Sequence, residues 1–166
     1  MTEGDIPSAA IAGAVAAVKA LLRLEGTGED ALIERLAATA LLLAEAFTGQ
    51  RLIVRAFADR VAADGAWQRL AAEPVVAVTG VSDGVAVDID AHGVGWVRVV
   101  GGAAVTVAYE AGVAATWELL PAPVAQGVTL LATHLFEHRE GDAVPPAAIA
   151  ALWRPWRRVR LGSAVR

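Results

Sequence analysis

A chain of 166 residues suits a single domain with one ordinary core, and the absence of cysteine excludes disulfides, thiolate zinc sites and cysteine nucleophiles. Apolar residues make up 56%, much of it Ala and Val, which points to closely packed small-residue surfaces; the stretches Ala9 to Val18 and Ala40 to Ala44 fall short of the roughly 20 apolar residues a membrane span needs. The net charge is −4, yet residues 151–166 hold five arginines and no acid, leaving residues 1–150 at −9: an acidic body with a basic, tryptophan-containing tail.

Before the first helix, Glu3 and Asp5 stand where a signal peptide would carry basic residues, so a soluble intracellular product is the expectation. Ile11, Val15, Val18 and Leu22 recur at helical spacing after Pro7 and predict a helix over about 8–23. Glu25-Gly26-Thr27-Gly28 breaks it, and Thr27 with Asp30 resembles a capping box with the shorter acid. The second helix, about 29–48, carries the stripe Leu32, Leu36, Ala40, Leu43 and Phe47, widened by Ile33, Ala37 and Ala44. Gly49 is placed to end it in the left-handed conformation.

The period then changes. Between residues 50 and 118, β-rich runs at Arg51–Ala58, Pro74–Val81, Val85–Ile89, Gly95–Val100 and Ala103–Glu110 are divided by Gly and Asp, with 59–73 ambiguous. Gly101-Gly102 reads as a hairpin turn, and Val105, Val107 and Tyr109 alternate with Thr106, Ala108 and Glu110 as a half-buried strand does. Pro121 and Pro123 open a third helix, about 122–139, on which Val124, Val128, Leu131 and Leu135 recur; it is expected to pack on the first two. After Pro145-Pro146, a short helix, Ala147 to Leu152, leads into the tail, where Pro155 limits further helix. The fold class that follows is α+β: a bundle of three main helices with a small antiparallel β portion, forming a body over 1–150, and a C-terminal arm over 151–166.

Three motifs bear on chemistry. Gly80-Val81-Ser82-Asp83-Gly84 matches G-x-S-x-G, but a strand pattern follows it where a nucleophile elbow requires a helix, so it reads as a hairpin turn. His134, Glu137 and His138 match H-x-x-E-H on one helical face, the pattern of a zinc hydrolase; a third protein ligand is lacking beyond the nearby Glu140 and Asp142, so histidines that cap the helix end are the preferred reading. No phosphate-binding glycine loop occurs, and His92 falls in a glycine-rich turn. No catalytic residue, metal or cofactor is therefore expected. The tail concentrates Trp153, Arg154, Trp156, Arg157, Arg158 and Arg160, residue types enriched at interface hot spots. Docking on another protein is the preferred reading, with nucleic-acid binding and packing on the chain's own core as alternatives.

Several blocks, in order, carry a resemblance. Val18-Lys19-Ala20-Leu21-Leu22-Arg23-Leu24 followed by Glu25 to Ile33, then Glu45-Ala46-Phe47-Thr48-Gly49, Val105 to Gly112 and Leu130 to Glu140 look like successive elements of the phage head-to-tail connector (adaptor) family, which includes gene transfer agent adaptors. Ala151-Leu152-Trp153-Arg154-Pro155-Trp156-Arg157-Arg158-Val159-Arg160-Leu161 resembles its C-terminal element, with Trp156 in place of the usual tyrosine. The resemblance implies a structural homo-oligomer: a ring of about twelve copies, joined head-to-tail around a closed cycle. It implies docking on a portal protein and meeting a tail-side connector or stopper protein, with DNA passing through the lumen without sequence-specific binding, at the neck of a virion or phage-like particle assembled in the host cytoplasm, and no membrane. Ring contacts are expected at Ile11, Val15, Leu36 and Leu43, and portal contacts at Trp153, Arg154, Trp156, Arg157, Arg158, Arg160 and Leu161. A nucleic-acid-binding accessory protein and a zinc hydrolase are the alternatives.

Overall fold

The change of period near residue 50 marks a change of architecture. The computed structural model describes residues 1–138 and 146–158, and the chain divides into two compact units, Met1–Pro7 with Arg51–Thr116, and Ser8–Gln50 with Trp117 onward. The boundary expected near residue 150 falls inside a helix of the second unit.

The first unit is built of strands β1 (Thr2–Glu3), β2 (Arg55–Val61), β3 (Asp64–Arg69), β4 (Val75–Gly80), β5 (Val85–Ile89), β6 (Gly95–Val100) and β7 (Val105–Ala111). They form two antiparallel sheets, ordered β1-β2-β7-β4 and β3-β6-β5. Alternation sets the buried face: on β7, Val107, Tyr109 and Ala111 are buried, while Thr106 and Glu110 are exposed. Phe57 sits opposite Tyr109 in the β2–β7 register, their rings stacked at 5.7 Å, and Val97 and Val99 of the other sheet join the same core. The one polar group among them is satisfied. The Tyr109 hydroxyl donates to Asp59 Oδ2 at 2.9 Å and accepts from the Ala72 amide at 3.0 Å, and burial, assisted by the Asp59 carboxylate, pushes its pKa up. The N-terminal segment is tied on by Glu3, whose two carboxylate oxygens accept from Arg51 (3.1 Å) and Arg55 (2.6 Å).

Two hairpin assignments are corrected. Gly101 and Gly102 do adopt positive φ (75° and 88°), but they carry the chain from β6 in one sheet to β7 in the other. Residues 81–84 likewise connect β4 to β5 across the two sheets rather than closing a hairpin. A glycine turn fixes a local bend, whereas the strand's partner is selected by which face must be buried, and that is not a local property. The true hairpin is β5–β6, paired from Val85↔Val99 to Ile89↔Gly95. Its loop is organised by Asp90, whose Oδ1 accepts from the amides of His92 (2.8 Å) and Val94 (2.9 Å). Those bonds, Val94's foremost, lower the Asp90 pKa. The ambiguous segment 59–73 completes β2 and supplies β3.

The second unit holds α1 (Ser8–Leu22), α2 (Asp30–Thr48), α3 (Ala122–Glu137) and α4 (Ala147–Trp153), with short 3-10 turns at Trp117–Leu119 and Arg154–Trp156. The first three helices pack on one another as the stripes require. Gly49 closes α2 in the left-handed conformation (φ 69°), its amide donating to the Glu45 carbonyl at 2.8 Å. The capping box does not form: the Asp30 carboxylate instead accepts from Lys19 Nζ at 2.5 Å, fastening α2 to α1 across the turn. The buried face of α2 also differs from the expected stripe. Ile33, Ala37, Ala40, Leu41 and Ala44 face inward, Leu32 and Leu36 are half-buried, and Leu43 is exposed. Alanines on the inner face let neighbouring helices approach closely, which turns the bulkier leucines outward. No described helix is long and apolar enough to cross a membrane.

Candidate functional site

The C-terminal segment was expected to extend from the body, and its described part, through Arg158, lies against the helical unit. Pro146 precedes α4, which turns Ile149 and Trp153 inward. Trp153 is only 4% exposed; its indole Nε1 donates to the Val124 carbonyl at 3.2 Å and its ring lies 5.8 Å from that of Phe47. Gly127 makes room for it, since a Cβ there would stand 2.2 Å from the indole nitrogen. The same device recurs at Gly13, where a Cβ would lie 2.7 Å from Trp117. Two tryptophans are thus seated directly on helix backbones where glycine omits a side chain.

Beyond Trp153 the chain follows the end of α2. Gln50 Nε2 donates to the Trp156 carbonyl at 2.5 Å, the Arg158 amide donates to the Thr48 carbonyl at 2.7 Å, and the Arg157 guanidinium lies 5.7 Å from the centre of the Phe47 ring. Arg154 and Arg157 are exposed, whereas Trp156 and Arg158 are half-buried. Of the residues assigned to partner docking, Trp153 therefore packs within its own chain, while Arg154, Trp156, Arg157 and Arg158 present surface around it. Arg160 and Leu161 lie outside the described residues.

The residues expected to line a ring contact are scattered over two faces. Val15 lines a groove of about 720 Å³ between α1 and the first half of α2, together with Ala12, Ala16 and Glu34. Ile11 and Leu36 are half-buried, and Leu43 stands exposed on the far side of α2. The exposed neighbour Leu42 was not singled out from sequence, although its spacing from Arg35, seven residues earlier, places both on one face.

His134 and His138 lie with ring centres 4.3 Å apart, tilted 30° to each other, at the end of α3, and His138 Nδ1 lies 3.0 Å from the His134 carbonyl oxygen. No group of three metal-ligating side chains occurs among the described residues; Glu140 and Asp142 lie outside them. Ser82 sits in the exposed crossing between β4 and β5, with no helix following it. One surface escaped sequence reasoning altogether. Trp67 on β3 is 45% exposed beneath the Arg98 guanidinium of β6, 5.1 Å from its ring centre. The signal was the cross-strand pairing of Trp67 with Arg98 and Arg69 with Trp96, which a segment without assigned strands could not reveal.

An α+β subunit with a helical unit, a two-sheet unit and a basic C-terminal segment is the architecture that finds counterparts among solved particle structures. The likeness is to neck and virion chains of gene transfer agent (GTA) particles. The neck of an empty GTA particle computed with C6 symmetry matches with a TM-score of 0.77 at 26% identity, the virion of a native gene transfer agent particle with 0.74 at 28%, and the neck of a native GTA particle computed with C12 symmetry with 0.70 at 27%. In each case 99% of this chain and 99% of the matched chain are covered. No protein-family model matches the chain, and neither does any curated protein sequence.

Proposed function

We propose that this chain is a non-enzymatic structural subunit of the neck of a phage-like particle, a connector that joins head to tail. The observation that carries the reading is the likeness over 99% of the chain to neck components solved under cyclic symmetry. Sequence blocks, fold and particle context all favour the same role. In its finer form, the subunit assembles in the host cytoplasm into a ring of about twelve copies related by a heterologous interface. The ring docks on the portal, meets a tail-side connector or stopper protein, and leaves its lumen open for DNA. An acidic body suits that passage, since it does not grip a polyanion.

Portal contact is assigned to the outer surface of the C-terminal segment, Arg154, Trp156, Arg157 and Arg158, continuing through Arg160 and Leu161. Trp153 supports that surface from beneath instead of entering a partner. Electron microscopy of particles made without this subunit tests the role. DNA-filled heads without tails are the expected product; normally tailed particles would refute it.

A further inference from the structure

The helical unit exposes two features of opposite shape. The groove between α1 and α2 has a floor of small residues, Ala12 and Ala16 with Val15, and carries the exposed Glu34 at its rim. Lys19 is already held by Asp30 beside it, at 2.5 Å. On the outer face of α2, Arg35 and Leu42 lie two turns apart along one line, and Leu43 adjoins Leu42. Leu42 and Leu43 are 51% and 47% exposed, a leucine ridge that water solvates poorly.

Leu43 of the ridge and Glu34 at the groove rim, nine residues apart on α2, lie on opposite sides of that helix, and the ridge starts two turns beyond Glu34, so the ridge cannot fill its own groove. The inward arc of Ile33, Ala37, Ala40 and Ala44 lies between them and the bundle interior. A second copy resolves the mismatch. Leucine side chains fit a groove floored by alanine, and the basic residue of the ridge, Arg35, complements the acidic residue of the groove, Glu34. Distinct surfaces on one molecule that complement each other generate a heterologous contact, which closes into a ring when its rotation allows.

We propose that the Leu42–Leu43 ridge of each copy seats in the α1/α2 groove of the adjacent copy, with Arg35 facing Glu34 across the contact. The inference rests on the ring assembly put forward above and names the surfaces that form it. Val15 and Leu43, two of the four residues expected at a ring interface, fall on opposite sides of the contact.

Because the chain has no cysteine, engineered thiols report on it without background. A chain carrying both Ala12→Cys and Leu42→Cys, oxidised within assembled particles, should yield a ladder of covalent multimers, whereas each single variant should stay monomeric. A double variant that enters particles yet remains monomeric overturns the proposal. If the double variant fails to enter, charge exchange decides. Glu34→Arg and Arg35→Glu should each reduce incorporation at least ~tenfold, because each places like charges opposite one another. Coexpressed, the two variants should recover incorporation, since each then offers the other a complementary surface. Normal incorporation of either variant alone, or no recovery on mixing, refutes the contact. Tailless heads on deletion of the subunit, combined with indifferent charge variants, would remove this interface and leave the connector role standing.

Discussion

Gly127→Ala is a small substitution whose effect should change sign with one neighbour. In the native helical unit the new methyl would stand 2.2 Å from Trp153 Nε1, so the indole must leave its seat and loosen its bond to the Val124 carbonyl. Overpacking of this kind costs about 1–3 kcal/mol, and the lost hydrogen bond contributes about 0.5–1.5 kcal/mol within that disruption. Alanine favours an α-helix interior over glycine by about 0.8–1.0 kcal/mol, which the clash outweighs. Trp153→Ala alone empties the seat and should cost about 3–5 kcal/mol, the range for a buried tryptophan. With the indole gone, the clash is gone too, and Gly127→Ala should stabilise the Trp153→Ala background by up to about 1 kcal/mol. Urea unfolding of the four proteins, followed by helical circular dichroism, measures the coupling as the difference between the two Gly127→Ala effects. A Gly127→Ala change that is neutral or stabilising in the native background would refute the seat.

Two further outcomes follow from the same structure. Tyr109 is the chain's single tyrosine, its pKa raised by burial, so its phenol stays protonated in the folded state where the unfolded one, near 10, begins to ionise. The unfolded state therefore releases the proton first, and the stability this group contributes is whole below about pH 10 and declines as pH rises above it; Tyr109→Phe should flatten that decline, measured by denaturation across alkaline pH, and should cost about 1–3 kcal/mol at neutral pH by taking the acceptor from the buried Ala72 amide, while Asp59 Oδ2 keeps its bond from the Ala71 amide. Truncation after Arg158 should leave a folded protein that binds portal weakly, whereas truncation after Ala151 should unfold the helical unit because it removes Trp153; equal melting of the two truncations would contradict the packing role, and undiminished portal binding by the first would contradict the arm's share in docking.

The helices were legible because their signals are local. The residues at 8–22, 30–48 and 122–137 show helical spacing, with Pro7 and Pro121 ahead of the first and third and Gly49 behind the second, and the observed bounds differ from the expected ones by at most two residues. Val85–Ile89 and Gly95–Val100 were equally plain, since short alternating runs between glycines leave little choice. What escaped were choices made between distant segments: which strand pairs with β6, which side of α2 turns inward, and where Trp153 goes. The spacing of Leu32, Leu36 and Leu43 is helical, but so is that of Ile33, Ala37 and Ala44, and only the closeness of the neighbouring helices selects the second set. For the C-terminal segment, the tryptophan-arginine composition was readable, while the seat that takes Trp153 out of play lies in Gly127, an ordinary glycine until the indole is placed on it.

The clasp between the Arg158 amide and the Thr48 carbonyl has a consequence for the arginines just before it. Together with the bond from Gln50 to the Trp156 carbonyl, it pins residues 156–158 to the end of α2, so the exposed Arg154 and Arg157 stand on backbone that is already fixed. A partner meeting that surface would find its groups pre-arranged and would surrender less freedom on binding. Gly49 sets the closeness of the fit, because a Cβ there would stand 2.8 Å from the Arg158 carbonyl oxygen.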